Sequence, residues 1–418
     1  MTLLFVNARQ VITCAGAARA RVGAEMRDCG VLADGAVAVE GARIAAVGAR
    51  AALEREYPDA TCIDCGGGVL TPGLVDSHTH AIFGRARYEE QERRAAGADY
   101  MEIAKQGGGI HASVRDVRAR SEDELLALAI PRLERLASYG TTTVEVKSGY
   151  GLSVEDELKL LRVIFRASVM VPMRLVPTWL GAHEIPKEAR ATASTRASYV
   201  KMLTAEMLPL VVAERLARFA DVFCEPGVFT VSESRDILEA ARTAGLGLKL
   251  HADELAPSGG AELAAELRAT SADHLAAISP GGIAALAHAG TVATLLPGTM
   301  LFLGKGSRPP ARALLDAGAA VALATDFNPG SSPVASMPFI LSLASLQMRL
   351  TPAEALTAAT INAAHSLGLG AEVGSLEPGK RADFLIHEFT DYRELAYFIA
   401  APLRPRVFLG GNRSAIAS

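Results

Sequence analysis

Short apolar runs alternate with longer stretches of helical periodicity through most of the chain. Eight of these runs predict strands, at 69–80, 141–147, 173–178, 220–224, 246–251, 270–274, 291–296 and 320–326. The stretches at 122–138 and 232–244 predict helices, and the first follows Ser121 and carries Glu124, the pattern of a helix-capping box. Strands that alternate with helices are typical of βα units around a parallel sheet. Eight such units predict an α/β protein with a (β/α)8 TIM-like barrel.

Both ends of the chain lack this alternation and show short strand candidates separated by turn residues. The candidates are 3–7, 35–41, 43–48, 379–386 and 406–411. The second and third are separated by the turn Glu40-Gly41 and predict a hairpin. Because the two ends have the same character, we expect them to form one small β-sandwich-like domain. The predicted domains are 1–68 plus 375–418 for this composite β-domain and 69–374 for the barrel.

Composition and charge exclude several classes of protein. Of the 418 residues, 50% are hydrophobic, and the net charge of −4 comes without the basic patch of a nucleic-acid-binding surface. The uncharged segments 275–304 and 330–348 are long enough to cross a membrane, but proline, glycine and serine interrupt them, so we expect core elements. The five cysteines are scattered and odd in number, and the first residues lack a signal segment. We therefore expect a cytoplasmic protein without disulfides and without nucleic-acid or membrane partners.

Residues that can bind a metal lie at the ends of four predicted strands. They are His78, His80, His251, His274 and Asp326. His78 and His80 are two residues apart, so on a strand they share one face. In a βα barrel the chemistry lies at the carboxyl ends of the strands. We expect His78, His80, His251 and Asp326 to bind one catalytic metal ion, which would lower the pKa of a bound water to ~7. The sequence thus predicts a metal-dependent hydrolase.

Several segments around these residues resemble the amidohydrolase superfamily. They are 71–80, 248–254, 271–274 and 324–330. Two further segments, 145–152 and 178–186, look characteristic of the imidazolonepropionase family within it. The resemblance runs essentially end to end. It implies hydrolysis of the ring amide of 4-imidazolone-5-propanoate to N-formimidoyl-L-glutamate, a step of histidine degradation, by an enzyme that is commonly a homodimer.

The resemblance also implies one metal ion per subunit, either zinc or iron. Two-metal relatives often carry a carboxylated lysine at the end of the fourth strand, where this chain has Cys224-Glu225. Asp326 would act as general base, and His274 would orient the nucleophile or stabilise the developing oxyanion. Glu254 would contact the ring nitrogens. Whether Asp326 or Glu254 protonates the leaving nitrogen stays open at this point.

The substrate of that family carries a propionate, which requires a fixed cation. Arg87 matches the substrate arginine of the family, and a guanidinium fork fits carboxylate geometry. The other residues that the resemblance places at the substrate are Tyr150, His183, Asn328, Gly330 and Ser331, with Tyr100 as a weaker candidate. Lys147 lies near the end of the second strand. We expect it to form a buried or substrate-side charge pair rather than to bridge metal ions.

Two alternatives remain open from the sequence. A mononuclear deaminase of the same superfamily, acting on a cytosine- or guanine-like base, would share the ligands but would need Arg87 less. A non-enzymatic scaffold related to the superfamily would have lost ligands, whereas all the expected ones are present in this chain.

Overall fold

The computed structural model of the protein describes residues 1–97 and 108–414. The strands are β1 Thr2–Val6, β2 Gln10–Ile12, β3 Val31–Ala33, β4 Gly35–Glu40, β5 Arg43–Ala49, β6 Thr61–Asp64, β7 Val69–Pro72, β8 Leu74–Asp76, β9 Thr141–Lys147, β10 Arg174–Ala182, β11 Phe219–Cys224, β12 Gly247–Ala252, β13 Ser271–His274, β14 Val292–Leu295, β15 Val321–Leu323, β16 Phe384–His387, β17 Arg406–Leu409 and β18 Asn412–Arg413.

The helices follow the barrel strands and also occur at the chain ends. The α-helices are Arg50–Glu56, Tyr88–Ala95, Ile110–Arg118, Glu122–Ser138, Val154–Ser168, Ala193–Met202, Leu208–Ala213, Val231–Thr243, Gly260–Glu266, Pro280–Ala289, Pro297–Phe302, Ala311–Asp316, Met337–Met348, Pro352–Ala358, Ile361–His365 and Glu394–Tyr397. Short 3₁₀ segments lie at Gly23–Arg27 and Lys187–Ala189, and a π-helical turn at Leu203–Met207.

The eight strands β8 to β15 form one parallel sheet in chain order. The two outer strands approach each other just beyond their ends, where Asp326 N–H donates to the His78 carbonyl at 3.0 Å and His80 N–H donates to the Phe327 carbonyl at 2.9 Å. The side chain of Asp76 also accepts a hydrogen bond from the Thr325 hydroxyl at 2.6 Å. These bonds close the sheet into a barrel, which confirms the predicted (β/α)8 architecture.

The first predicted strand is wrong as one barrel element. Residues 69–80 read as one apolar run, but Val69–Pro72 pairs with β16 and β2 in the terminal sheet, and only Leu74–Asp76 belongs to the barrel. Gly73 separates the two strands and lies so close to Thr142 that a Cβ there would be 2.1 Å from its hydroxyl. Hydrophobic pattern alone could not reveal this break, because both strands are buried.

Helix boundaries follow the polar signals closely. The helix Glu122–Ser138 begins where predicted, with Glu124 N–H donating to Ser121 Oγ at 3.2 Å and Ser121 N–H donating to the Glu124 carboxylate at 2.9 Å. The helix Val231–Thr243 begins one residue earlier than predicted, after Thr230. Within residues 1–97 and 108–414, no helix has the length and apolar character needed to span a bilayer.

Both ends of the chain meet in the same region, as predicted. One sheet has the order β5-β4-β1-β6 and includes the expected hairpin, and the other has the order β18-β17-β16-β7-β2-β3 and joins the two chain ends. The rings of Phe5, Phe384 and Phe408 pack together with centroids 4.7 to 5.2 Å apart. The strand Val69–Pro72 also lies in this sheet, so we propose that the composite β-domain extends a few residues past its predicted bound at 68.

Candidate active site

All four predicted metal ligands, His78, His80, His251 and Asp326, converge at the carboxyl end of the barrel. Asp326 Oδ1 lies 3.6 Å from both His78 Nε2 and His80 Nε2, and His80 Nε2 lies 3.4 Å from His251 Nε2. All four side chains are buried. His78, His80 and His251 have ligand atoms within 4.8 Å of one another, and so do His78, His274 and Asp326. The structure therefore brings these predicted residues together around one point.

The donor atoms of this cluster fit a cation. Nδ1 of His78 is 2.6 Å from Asp273 Oδ2, and Nδ1 of His251 is 3.1 Å from Asp221 Oδ1. A carboxylate accepts the Nδ1 proton, so the neutral ring carries its lone pair at Nε2. The buried Nε2 of His78 has no hydrogen-bond partner among the described residues. Burial lowers the pKa of His78 and of His80, so both rings are neutral at neutral pH.

A buried ionic network lies beneath these histidines. Lys147 Nζ is 2.7 Å from Asp221 Oδ2 and 2.8 Å from Glu145 Oε2, and Lys249 Nζ is 3.0 Å from the same Glu145 oxygen. Both ammonium groups lie 3.7 Å from Asp273 Oδ2. Burial acts to lower the pKa of Lys147, but Asp221 and Glu145 raise it above its ordinary value. Lys147 therefore forms the buried charge pair that the sequence favoured.

The sequence did not single out Asp221, Lys249 or Asp273, although it contained a signal. Lys249 lies two residues before His251 on β12, so both side chains share one face of the strand. A charged residue inside an apolar strand, on the same face as a predicted metal ligand, indicates that a buried group of opposite charge lies nearby. Thr299 was also missed, and its hydroxyl donates to Asp326 Oδ2 at 2.6 Å.

His274 and Asp326 both have left-handed backbone conformations, with φ of 77° and 53°. Histidine and aspartate are among the residues that tolerate this region, which is sparsely populated and often found at functional sites. Neither ring nitrogen of His274 has a hydrogen-bond partner among the described residues, and Nδ1 lies 3.6 Å from Glu254 Oε2. A ring nitrogen of His274 lies within 4.8 Å of ligand atoms of His78 and Asp326, and its place beside the metal stays a prediction.

Two carboxyl groups of the site have raised pKa values. Burial raises the pKa of Asp326 to about 6, although the Thr299 hydroxyl opposes this shift. Burial, together with the charge of Asp326, raises the pKa of Glu254 well above its ordinary value. Two acids with different environments can divide the roles of base and acid.

Arg87 lines the same pocket as His80, His251 and Asp326. Its backbone N–H donates to the Pro329 carbonyl at 2.8 Å, and its guanidinium contacts Ser113 Oγ at 3.2 Å and Glu90 Oε2 at 3.5 Å. A Cβ at Gly330 would lie 1.7 Å from the guanidinium, so only glycine permits this approach. The predicted residue Gly330 therefore has a physical reason to be there.

Asn328 shapes the loop that carries Gly330 and Ser331. Its Oδ1 accepts from Gly330 N–H at 2.9 Å and Ser331 N–H at 2.7 Å, while its Nδ2 donates to the Asp326 carbonyl at 2.7 Å. All three predicted residues line the pocket, but the amide of Asn328 is engaged within its own loop. Direct contact between Asn328 and a substrate stays a prediction.

Tyr150 and His183 also line this pocket. The His183 ring stacks on His80 with centroids 4.9 Å apart, and the Tyr150 ring lies 5.4 Å from His183. Burial lowers the pKa of His183 to about 3, so its ring is neutral. The pocket is also lined by Arg94 and Lys305, which the sequence did not single out. Tyr100, the weaker candidate, lies outside the described residues.

The sequence matches known families over nearly all of its length. The model of the amidohydrolase family matches residues 69–412, and the bacterial imidazolonepropionase-like composite domain matches residues 35–60. The imidazolonepropionase of Solibacter usitatus is 49% identical over 408 residues, covering 97% of each chain. That of Symbiobacterium thermophilum is 50% identical over 414 residues, covering 98% of this chain and 96% of the relative.

A solved structure extends the comparison to the fold. An adenosine deaminase from Xanthomonas campestris with bound zinc is similar with a TM-score of 0.73 at 20% identity, over 98% of this chain and 92% of that one. The matched family model, which covers residues 69–412, shows that the chain belongs to the amidohydrolase family, and the barrel with its candidate metal site agrees with this. Within it, the near-full-length relatives place the chain in the imidazolonepropionase family.

Proposed function

We propose that this protein hydrolyses the ring amide of 4-imidazolone-5-propanoate to N-formimidoyl-L-glutamate in histidine degradation. The observation that carries the proposal is Arg87, whose guanidinium packs against Gly330 in the same pocket as His80, His251 and Asp326. A substrate with a propionate places its carboxylate on the arginine. Its ring then reaches the histidine cluster. An uncharged nucleobase has no group that requires this arginine.

His78, His80, His251 and Asp326 would hold one metal ion per subunit. Zinc and iron both suit imidazole and carboxylate ligands, and the proposal includes either. When bound, such an ion polarises the carbonyl and lowers the pKa of a coordinated water. The support from this chain is that His78 bonds to Asp273 and His251 bonds to Asp221 through Nδ1, which leaves each Nε2 to face the site.

Proton transfer is assigned to the two carboxyl groups. Asp326 Oδ2 accepts a hydrogen bond from Thr299 at 2.6 Å, which fixes the carboxylate as it takes the proton of the attacking water. Glu254 is held neutral by burial and by Asp326, so it can deliver its proton to the leaving ring nitrogen. His274, 3.6 Å from Glu254, would donate to the developing oxyanion.

Substrate contacts would complete the site. Arg87 binds the propionate, and Tyr150 and His183 border the ring from the other side of the pocket. The loop of Asn328, Gly330 and Ser331 supports Arg87 and offers Ser331 to the product amide.

A turnover assay tests the proposal. Purified protein with its metal content measured should consume enzymatically generated imidazolonepropionate and form N-formimidoyl-L-glutamate, with about one metal per subunit at full activity. Release of ammonia from cytosine or guanine without turnover of imidazolonepropionate would contradict the function and favour a deaminase.

The wider setting belongs to the same proposal. All five cysteines are unpaired, which suits the reducing conditions of the cytoplasm. We propose a cytoplasmic homodimer that acts on a small molecule without a nucleic-acid partner. Light scattering of the purified protein checks the dimer.

A further inference from the structure

Glu157 is a completely buried carboxyl group that lies outside the cluster described above. It belongs to the helix Val154–Ser168 but does not cap that helix, since Ser153 accepts from Asp156 N–H at 3.2 Å. Its oxygens bind the preceding loop instead. They accept from Gly149 N–H at 2.9 Å, from Gly151 N–H at 2.6 Å and from Leu152 N–H at 3.0 Å.

The loop bound by Glu157 has an unusual backbone. Gly149 has a φ of 100° and Leu152 a φ of 53°, both in the left-handed region. Leucine rarely adopts this conformation, so the surrounding contacts must stabilise it. Three amide groups that point at one carboxylate supply that stabilisation. Glu157 therefore supports the loop through its amides, while Arg118 donates to the carbonyls of Gly151 at 2.7 Å and Leu152 at 3.0 Å.

This loop carries one residue of the substrate pocket, Tyr150, and contacts a second, His183. Tyr150 lies between the amides of Gly149 and Gly151, which are both bonded to Glu157. The carbonyl of Gly149 is 2.9 Å from His183 Nδ1. Because a carbonyl can only accept, His183 carries its proton on Nδ1, and the Nε2 of the neutral ring is left as a hydrogen-bond acceptor.

The same loop is tied to the next barrel strand. Ser148 Oγ accepts from Leu180 N–H at 2.9 Å, and Ser148 N–H donates to the Thr178 carbonyl at 3.0 Å. Leu180 and Thr178 belong to β10, whose end leads to His183. The loop 148–152 is therefore bonded both to β10 and to Glu157.

We propose that Glu157 is a positioning residue, which sets Tyr150 and His183 on one wall of the substrate pocket by holding the loop 148–152. The inference rests on the proposed function, because it assigns a role to residues at that substrate site. Glu157 lies behind the loop and acts on the substrate only through it. Its loss should weaken substrate binding and leave the metal in place.

The test compares Glu157→Gln with Glu155→Gln, an exposed position on the same helix. The amide keeps the size of the side chain but replaces one accepting oxygen with a donor. The loop then loses either the 2.9 Å bond from Gly149 N–H to Oε2 or the bonds from Gly151 and Leu152 N–H to Oε1. We expect Glu157→Gln to raise KM about tenfold, the scale of one charge-assisted hydrogen bond. The metal content of Glu157→Gln should equal that of the wild type. Glu155→Gln should have the KM and the metal content of the wild type.

A second measurement separates positioning from general stability. If Glu157 acts through the loop, the KM effects of Glu157→Gln and Tyr150→Phe should combine less than additively, since both disturb the same contact. Additive effects, or an unchanged KM in folded Glu157→Gln, would overturn the inference. If Glu157→Gln does not fold, Gly149→Ala decides the matter. Its Cβ would lie 2.8 Å from His183 Nδ1 at a φ of 100°, so an unchanged KM there would also overturn it.

The wild type is measured first in the same assay. No turnover of imidazolonepropionate by the wild type would contradict the proposed function, and the positioning role with it. Normal turnover by the wild type and equal KM in the variants would contradict the role of Glu157 alone.

Discussion

Asp273 and His78 are joined by a hydrogen bond of 2.6 Å between two completely buried side chains. The bond leaves Nε2 of His78 facing the cluster of histidines and Asp326, and Asp221 does the same for His251 at 3.1 Å. Such partners of metal-binding histidines fix the tautomer and the orientation of the ring. The predicted ligand set thus depends on carboxylates that do not touch the metal.

The first prediction concerns this support. Asp273→Asn should weaken metal binding by roughly 10- to 100-fold, because the amide is a poorer acceptor for the Nδ1 proton of His78. Competition with a chelator of known affinity measures the change. Asp316→Asn, at an exposed position on a barrel helix, should bind metal like the wild type. Equal affinity in both variants would show that His78 needs no support from Asp273.

The ionic network beneath the site should be costly to break. Lys147→Met leaves Asp221 and Glu145 buried without one of their cations and should destabilise the protein by roughly 3–5 kcal/mol. Lys159→Met is the control, because Lys159 forms one ion pair, with Asp156, and keeps some exposure to water, so its loss should cost less than that of the fully buried Lys147. Urea unfolding of both variants gives the difference. Similar values would mean that the remaining Lys249 balances the network alone.

The site and its supporting residues differ in how visible they are in the sequence. His78, His80, His251, His274 and Asp326 could be predicted because each ends an apolar run, and barrel strands present their ends to one face. The partners of these residues could not be predicted as easily. Asp221, Lys249 and Asp273 lie inside strands, where a charged residue at alternate positions also suits a half-exposed strand. Only the closed barrel shows that their face points inward.

The fold shows a similar limit at its boundaries. The count of eight barrel strands and the capped helix Glu122–Ser138 follow from local patterns, and the structure confirms both. The break at Gly73 does not follow from local pattern, because it depends on the close approach of Thr142 from the next strand. Pairing partners distant in sequence decide which sheet a buried strand joins.

The binding of the propionate predicts a kinetic effect at Arg87. Arg87→Ala should raise KM about ten- to hundred-fold, the scale of losing a charge-assisted contact, without loss of metal. Arg85→Ala is the matched control, since Arg85 is more than half exposed and pairs with Glu89. Steady-state kinetics and metal analysis of both variants test this. An unchanged KM in Arg87→Ala would indicate that another cation of the pocket, Arg94 or Lys305, binds the propionate.

Stability of the metal-free protein should depend on pH through His387. This residue of β16 is buried against Thr71, and burial lowers its pKa from 6.5 to about 3. Between these values the unfolded chain binds a proton that the folded protein does not. Stability should therefore fall as pH falls below 6.5, by up to ~1.4 kcal/mol per pH unit from this group.

His387→Gln removes that contribution and tests it. Between neutral pH and about pH 5 the free energy of unfolding should fall in the wild type more than in the variant. The difference between the two changes should be roughly 1–2 kcal/mol. Denaturant titrations at several pH values give both curves. Parallel curves would contradict a neutral, buried His387.

The last prediction separates His274 from the metal ligands. His274→Ala should keep the metal and lose roughly 10²–10³-fold in kcat, the scale of removing one donor to a developing oxyanion. The comparison is His251→Ala, which should lose metal because His251 Nε2 faces His80 within the cluster. His274 lies within ligand distance of His78 and Asp326, so the opposite result has a structural basis. Metal loss in His274→Ala equal to that in His251→Ala would make His274 a ligand and leave oxyanion stabilisation to another group.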